Sequence, residues 1–503
     1  MFGTRNTITP GSMGRDKGGE TMSDSLKDML ADLQSAERYD DMGYMATKDI
    51  NVRLIWLRAA LADYTIPVMP PHLQVCSSYK CNYQCRFCGG HGVSDSEHKR
   101  LNSKVVMSGE RLDAIMAEMW PYAYTWSLAS SGEFFCQPNI AEVLRASRQY
   151  ESRASITTNG SAWNVNSLSE LIPNMTSIRV SMVSLIEEAY EFFHRHGNFK
   201  RVVNNIRTLV RARQLVYPTR KSATSIMGPI LNSTMRELCH RVRVAHGLGV
   251  ESVGSTSFLL QTDILKRSDP RWGNESGEDF PELWNACRRD AGKLLSDFDM
   301  IDQLHRPFDG VDAGYDRLPD DNGLMFPRIM DYVESAPPIE SYFDAEKIES
   351  DAQEINSRIA DGEPDSSNTP EGIQSREESV ALLKSVLTRN ADKILQDDDS
   401  TCRICFRFDL NGNVLPGAEW RPCCISKKRF PIKKDATISS IYNSNAMRTF
   451  AEALCHGEIP EECMGCRDLI VIKRSDLVRE ALAPGLLNPS KEIYDRATKH
   501  VTK

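Results

Sequence analysis

Between residues 73 and 260 the chain repeats one pattern, a short apolar run ending in a polar turn followed by a stretch with helical spacing. Residues 73–76 read as a strand. After it, Leu112, Ile115, Met116 and Met119 recur at the i, i+3, i+4, i+7 spacing of a half-buried helix, with Ser108 placed to cap it. Residues 124–129 form the next strand and end at Ser130-Ser131-Gly132-Glu133. A helix over 140–150, a strand ending in Thr157-Thr158-Asn159-Gly160, another helix and a strand over 177–184 follow. The helix over 198–213 gathers Phe199, Val202, Val203, Ile206, Leu209 and Val210 on one face, and 225–231 and 252–260 supply further strands. Alternating strands and helices impose a parallel sheet with helices outside it, and such sheets carry their chemistry at the strands' C-terminal ends. About six units fit this stretch, fewer than the eight of a closed barrel, so an α/β partial (β/α)6-type barrel is expected.

The remaining length must fold differently. Residues 1–22 are polar and rich in Gly, Thr and Ser and read as a disordered leader, and 23–72 as a helical N-terminal segment. The barrel occupies 73–261. Residues 262–400 are acidic, contain Pro337-Pro338 and include a polar stretch over 361–379, which predicts a largely helical insertion with a flexible part. Residues 401–490 hold seven of the fourteen cysteines and read as a small α+β domain, with 491–503 as a tail. Within that domain Asn411-Gly412 predicts a hairpin turn between strands at 406–410 and 414–416.

Composition narrows the function. A net charge of −8 without a basic stripe argues against a nucleic-acid partner. The longest apolar run, 54–70, is broken by Arg58 and Asp63, so no membrane span is expected, and no secretory signal pattern is present. The cysteines fall in two clusters, which favours metal ligation in a reducing, cytoplasmic setting over a disulfide framework.

The first cluster, Cys81-Asn82-Tyr83-Gln84-Cys85-Arg86-Phe87-Cys88, has C-x3-C-x2-C spacing. It offers three soft thiolates on one short loop to an iron–sulfur cluster that takes four ligands, leaving one iron open. A zinc knuckle is the other reading of such cysteines, but it needs a fourth ligand, for which His91 is the close candidate.

This motif, with Phe87 at the aromatic position and a strand before it, resembles the signature of the radical S-adenosylmethionine superfamily. The resemblance implies that Cys81, Cys85 and Cys88 bind a [4Fe–4S] cluster that cleaves S-adenosylmethionine reductively to a 5′-deoxyadenosyl radical, which abstracts a substrate hydrogen atom. It extends to Ser131-Gly132-Glu133, in the place of the family's Gly-Gly-Glu turn that binds the cofactor's amino group, with Ser where the first Gly is usual. Thr157-Thr158-Asn159-Gly160 and Ser181 match strand-end positions that contact the cofactor's carboxylate and ribose, although turn chemistry alone also selects such residues. Arg195, within His194-Arg195-His196-Gly197-Asn198-Phe199, matches a position near the cofactor.

The second cluster comprises Cys402-x2-Cys405, Cys423-Cys424 and Cys463-x2-Cys466. Spacing alone leaves a structural zinc site open. The arrangement resembles the auxiliary-cluster domains, SPASM or its shorter twitch form, that follow radical S-adenosylmethionine cores. That resemblance implies one auxiliary [4Fe–4S] cluster on Cys405, Cys423, Cys463 and Cys466, with Cys402 and Cys424 as alternatives to Cys405 and Cys423. No cysteine follows Cys466, so a second auxiliary cluster is not expected.

The expected enzyme is an oxidoreductase or epimerase acting on a small specialised metabolite, with a peptide as the alternative substrate and a zinc-binding scaffold as the rival from another class. An external one-electron reductant such as flavodoxin or ferredoxin is implied. Cys136 and Cys239 are candidate hydrogen donors for epimerisation, and His194, His196 or a carboxylate of the insertion are candidate bases for dehydrogenation.

Overall fold

The computed structural model describes residues 22–483 apart from 41, 76–77, 104–108, 129–131, 138–139, 220–222, 257–264, 266–268, 277–278, 305–306, 308–310, 315–323, 362–368, 397, 399, 406–410, 416–418, 422–429, 432–436, 457 and 459–468. The expected leader, save its last residue, and the tail lie outside the described residues.

Six strands run parallel in chain order: β1 (His72–Val75), β2 (Thr125–Leu128), β3 (Arg153–Thr158), β4 (Met175–Ser181), β5 (Thr224–Pro229) and β6 (Ser252–Thr256). A seventh, β7 (Ile301–Gln303), continues the sheet beyond residue 260, parallel to β6. The sheet is open, with β7 at one edge. The helices that precede β1 are α1 (Met22–Ser35) and α2 (Tyr44–Ala60). Between the strands lie α3 (Asp95–Ser103), α4 (Gly109–Met119), α5 (Ile140–Gln149), α6 (Val165–Leu171), α7 (Glu187–Phe193), α8 (Phe199–Val216) and α9 (Leu238–Gly247). The face predicted for α8 is the one it buries, and the Asn198 side chain caps it by accepting from Arg201 N at 2.7 Å. In β3 the burial alternates along the strand, as a sheet lined with helices on its outer face requires.

The segment after β6 is not a separate body. It supplies α10 (Pro281–Asp297), α11 (Ile329–Ser335), α12 (Ala345–Ala360) and α13 (Pro370–Arg389) to the helical layer. Helix α12 buries Ile348, Ala352 and Ile355 against α6 and α8, and α13 buries Leu383, Val386 and Leu387 and packs on α2. Residues 370–379, expected within a flexible stretch, are the first half of α13. A Thr369 hydroxyl accepting from Gly372 N at 3.1 Å, Pro370 in the first turn and Glu371 near the positive helix end explain why this polar sequence is helical.

The cysteine-rich segment also departs from expectation. Asn411-Gly412 is not a turn: it opens a strand, β9 (Asn411–Leu415), that pairs in parallel with β1, His72 opposite Asn411. The hairpin lies further on, where β10 (Glu419–Arg421) returns antiparallel to β9 and carries β11 (Phe430–Pro431). These strands extend the barrel sheet to ten, in the order β11-β10-β9-β1-β2-β3-β4-β5-β6-β7. Edge pairing with β1 satisfies a row of backbone groups that a turn at Asn411 would leave open, and it overrides the local turn preference. Separately, β8 (Thr401–Cys405) pairs antiparallel with β12 (Leu469–Lys473).

Candidate active site

The loop from Cys81 to Cys88 leaves the C-terminal end of β1 and is held from two sides. Cys81 N donates to Asn102 Oδ1 at 2.9 Å, and Asn102 Nδ2 returns a bond to Cys81 O at 3.2 Å, so α3 grips the loop's start. On the other side Gln84 N donates to Arg195 O at 3.1 Å and Arg86 N to Phe193 O at 2.8 Å. The loop closes on itself through Cys88 N to Cys85 O at 3.0 Å and Gly92 N to Cys88 O at 2.9 Å.

All three thiols are free and partly buried. Burial pushes the Cys81 thiol up to about 12, and the Cys85 thiol is likewise held well above the ordinary range by burial and then by its neighbours Cys81 and Cys88. Three soft donors on one short loop are a donor set suited to a metal centre, which binds thiolates by displacing their protons. Among the described residues no three His, Cys, Asp or Glu side chains converge on the spacing of a single ion.

Gly92 is a condition of this loop. A Cβ there would collide with the backbone carbonyl of Cys85 and would lie 2.7 Å from that of Cys88 and 2.9 Å from that of Arg86. Backbone cannot rotate aside as a side chain can. Gly92→Ala is therefore expected to lower cluster content at least several-fold, measured as iron and acid-labile sulfide per chain, while far-ultraviolet circular dichroism stays unchanged.

Glu133 joins three strand ends. Its N–H donates to Lys80 O at 2.7 Å, and Gly132 lies so close that a Cβ would sit 2.5 Å from Lys80 O. The carboxylate, 3% exposed, accepts from Phe135 N at 3.2 Å, Asn159 N at 2.7 Å and the Thr158 hydroxyl. Burial holds its pKa above the usual value, opposed by these three bonds. Asn159 Nδ2 then donates to Asn82 Oδ1 at 2.8 Å, Asn82 Nδ2 to Ser161 Oγ at 2.7 Å, and Ser161 Oγ to Asn159 Oδ1 at 2.7 Å. This ring ties the β3 turn to the spacer between Cys81 and Cys85.

The structure thus brings Gly132, Glu133, Thr158 and Asn159 together beside the cysteine loop. Ser131 lies outside the described residues. Ser181 ends β4, opposite Met227 of β5, half-buried. The Arg195 side chain, 36% exposed, points to Asp95 at 3.4 Å. Cys136 ends the short turn that Glu133 caps, and burial raises its thiol pKa, with Glu133, the Asn82 backbone and Lys80 acting on it as well. Cys239 lies in α9, where Arg243 and Asp290 of α10 act on its thiol. His194 is not a solvated surface group: it is fully buried, and burial pushes its pKa down to about 3. Asn82, Gly92, Asn102 and Ser161 were not singled out in the sequence. For Asn82 the signal was its place inside the cysteine spacer; for the others no local pattern marked them.

Above the loop lies a second apolar core. Val183, Ile186, Ala189 and Phe193 pack with Leu265, Trp272, Met325, Phe326 and Ile329, and Phe87 of the cysteine loop abuts it. Glu275 pins these later residues to the turn after β5, accepting from Ser233 N at 3.0 Å and Met325 N at 2.6 Å.

Residues 75–241, from the end of β1 into α9, match the family model described as the Radical SAM superfamily. The match covers about a third of the chain and identifies a radical SAM domain there, the domain of a family that uses a [4Fe–4S] cluster and S-adenosylmethionine. No curated protein matches it. Among solved structures it is similar to Streptococcus suis SuiB bound to precursor peptide SuiA, at 9% identity and a TM-score of 0.46 over 78% of this chain and 69% of that one. It is also similar to native anSMEcpe with bound AdoMet, at 14% identity and a TM-score of 0.42 over 85% of this chain and 95% of that one. For anSMEcpe with AdoMet and Cp18Cys peptide the values are 14%, 0.41, 86% and 96%. Among the described residues no helix is long and apolar enough to cross a membrane.

Proposed function

We propose that Cys81, Cys85 and Cys88 hold a [4Fe–4S] cluster whose open iron takes S-adenosylmethionine. The observation that carries this reading is the set of three free, mutually close thiols on a doubly anchored loop at the end of β1. When bound, the pair supplies one-electron cleavage and hydrogen-atom abstraction.

The protein's own residues position and exclude. Gly132, Thr158, Asn159 and Ser181 offer close backbone and polar groups to the cofactor, and Ser131 and Arg195 remain its expected contacts at the rim. Glu133 fixes the β2 and β3 ends against the loop through three accepted hydrogen bonds, and Oε2, which accepts only one of them, keeps a site for the cofactor's amino group. The apolar layer of Phe87, Phe193, Trp272 and Phe326 keeps water from one side of the loop. Cys136, beside the loop, is better placed than Cys239 to donate a hydrogen atom.

The substrate we favour is a small metabolite, dehydrogenated or epimerised at a C–H bond and enclosed by that apolar layer; a peptide is the alternative. Electrons come from an external carrier of the flavodoxin or ferredoxin kind. Formation of 5′-deoxyadenosine from S-adenosylmethionine and dithionite under anaerobic conditions tests the reading. Product from the wild type and none from the Cys81→Ala, Cys85→Ala, Cys88→Ala variant supports it, and equal product from both overturns it.

The auxiliary cluster belongs to the same proposal, on Cys405, Cys423, Cys463 and Cys466. The last three lie outside the described residues, as does Cys424. The β8–β12 ladder favours Cys405 over Cys402: Cys405 stands opposite Leu469, three residues after Cys466, whereas Cys402 stands opposite Ile472. At about 3.4 Å per residue, Cys402 is about 10 Å further along the ladder from the chain that carries Cys466. Cys405→Ala is expected to lose about four of about eight irons per chain, and Cys402→Ala none, by iron analysis after anaerobic reconstitution.

A further inference from the structure

The turn that follows α7 carries a group that the cofactor-binding role does not use. His194 Nδ1 lies 3.3 Å from Cys85 Sγ, and its other ring nitrogen, Nε2, lies 3.2 Å from Val183 N. A backbone N–H only donates, so Nε2 accepts and the ring proton sits on Nδ1, directed at the sulfur.

We infer that His194 is a positioning residue for the cluster, whose Nδ1–H donates to the Cys85 thiolate and raises the potential at which the cluster it would hold accepts an electron. The inference rests on the assignment of Cys85 as a ligand. Hydrogen bonds to ligand sulfur favour the more negative, reduced state, and low surrounding polarity strengthens them.

The contact is over-determined. The imidazole stacks on Tyr190 at 4.4 Å and 20° and meets the Phe87 ring edge-on at 5.0 Å. Its own backbone is fixed by His194 N to Tyr190 O at 2.8 Å and Gly197 N to His194 O at 2.6 Å. Gly197 makes that turn possible, because a Cβ there would lie 2.6 Å from His194 O. The residues on either side, Phe193 and Arg195, give their carbonyls to Arg86 N and Gln84 N. Ring and thiol are thus bolted together by the backbone around both, although 109 residues separate them in sequence.

The test is a redox titration, in full-length protein, of the cluster whose electron paramagnetic resonance signal responds to added S-adenosylmethionine. His194→Phe keeps the stack and removes the donor, and His194→Asn places an amide N–H near the Nδ1 position. At a fixed poise, the reduced-to-oxidised ratio is expected to fall about tenfold in His194→Phe, a shift of about 59 mV for one electron, and to recover in part in His194→Asn. A loaded His194→Phe protein with the wild-type potential overturns the inference while leaving the cysteine assignment intact. Should His194→Phe load no cluster, the wild type decides: histidine labelled with nitrogen-15 in the ring must show a coupling to the reduced cluster, and its absence overturns the inference. A wild type with no cluster on these cysteines overturns the assignment beneath it and the inference together.

Discussion

Replacing Cys85 alone is expected to abolish 5′-deoxyadenosine formation, a loss as complete as that from replacing Cys81 or Cys88. The reason is stoichiometric. On the proposed assignment three thiolates already leave one iron without a protein ligand, so two cannot close the cluster. Two substitutions separate chemistry from folding. Cys85→Ala also orphans the buried His194 Nδ1–H, which should cost about 1–3 kcal/mol of stability. Cys85→Ser retains an acceptor and should unfold close to the wild type in urea, yet form no product. Product from Cys85→Ser at the wild-type rate would remove Cys85 from the site.

Glu133→Ala should produce the largest loss of stability among the site residues. The carboxylate satisfies Phe135 N, Asn159 N and the Thr158 hydroxyl, all inside the protein. Truncation leaves these donors without an acceptor, at about 1–3 kcal/mol each where water does not reach them, and about 4 kcal/mol overall is expected in urea unfolding. The pH dependence has a definite sign. Because burial raises the carboxyl's folded-state pKa above its ordinary value of 4.5, its contribution to stability is full below that ordinary value and is lost as pH rises through the raised one. The wild type's advantage over Glu133→Gln should therefore shrink as pH rises from 4 towards neutrality, at about the rate of one proton. An advantage that grows with pH would mean that hydrogen bonding, not burial, dominates the carboxyl. The same variants should bind S-adenosylmethionine less tightly, since the β3 turn loses its anchor to the β2 end.

The barrel strands and helices were legible because each carries its own period. The face predicted for α8 is the buried one, and the strands predicted across 73–260 fall within a few residues of β1 to β6. The three cysteines of the loop were legible for a similar reason, since a motif of eight residues needs no distant partner to be seen. What misled was local preference acting where a neighbour decides. Asn411-Gly412 has the composition of a turn but stands beside β1, and residues 370–379 have the polarity of a loop but are capped at Thr369 and continue into a helix packed on α2.

The sequence by itself determined the alternating α/β order and the cysteine motif on the loop after β1, because these depend on residue type and short spacing. Only the tertiary structure decided that Glu133 is a buried strut, that Arg195 turns to Asp95, that β9 joins the barrel at β1, and that the His194 ring meets the Cys85 sulfur. Those features are contacts between segments tens to hundreds of residues apart. Hydrogen-bond direction and burial, which set their chemistry, arise only when the folded chain excludes water from both partners.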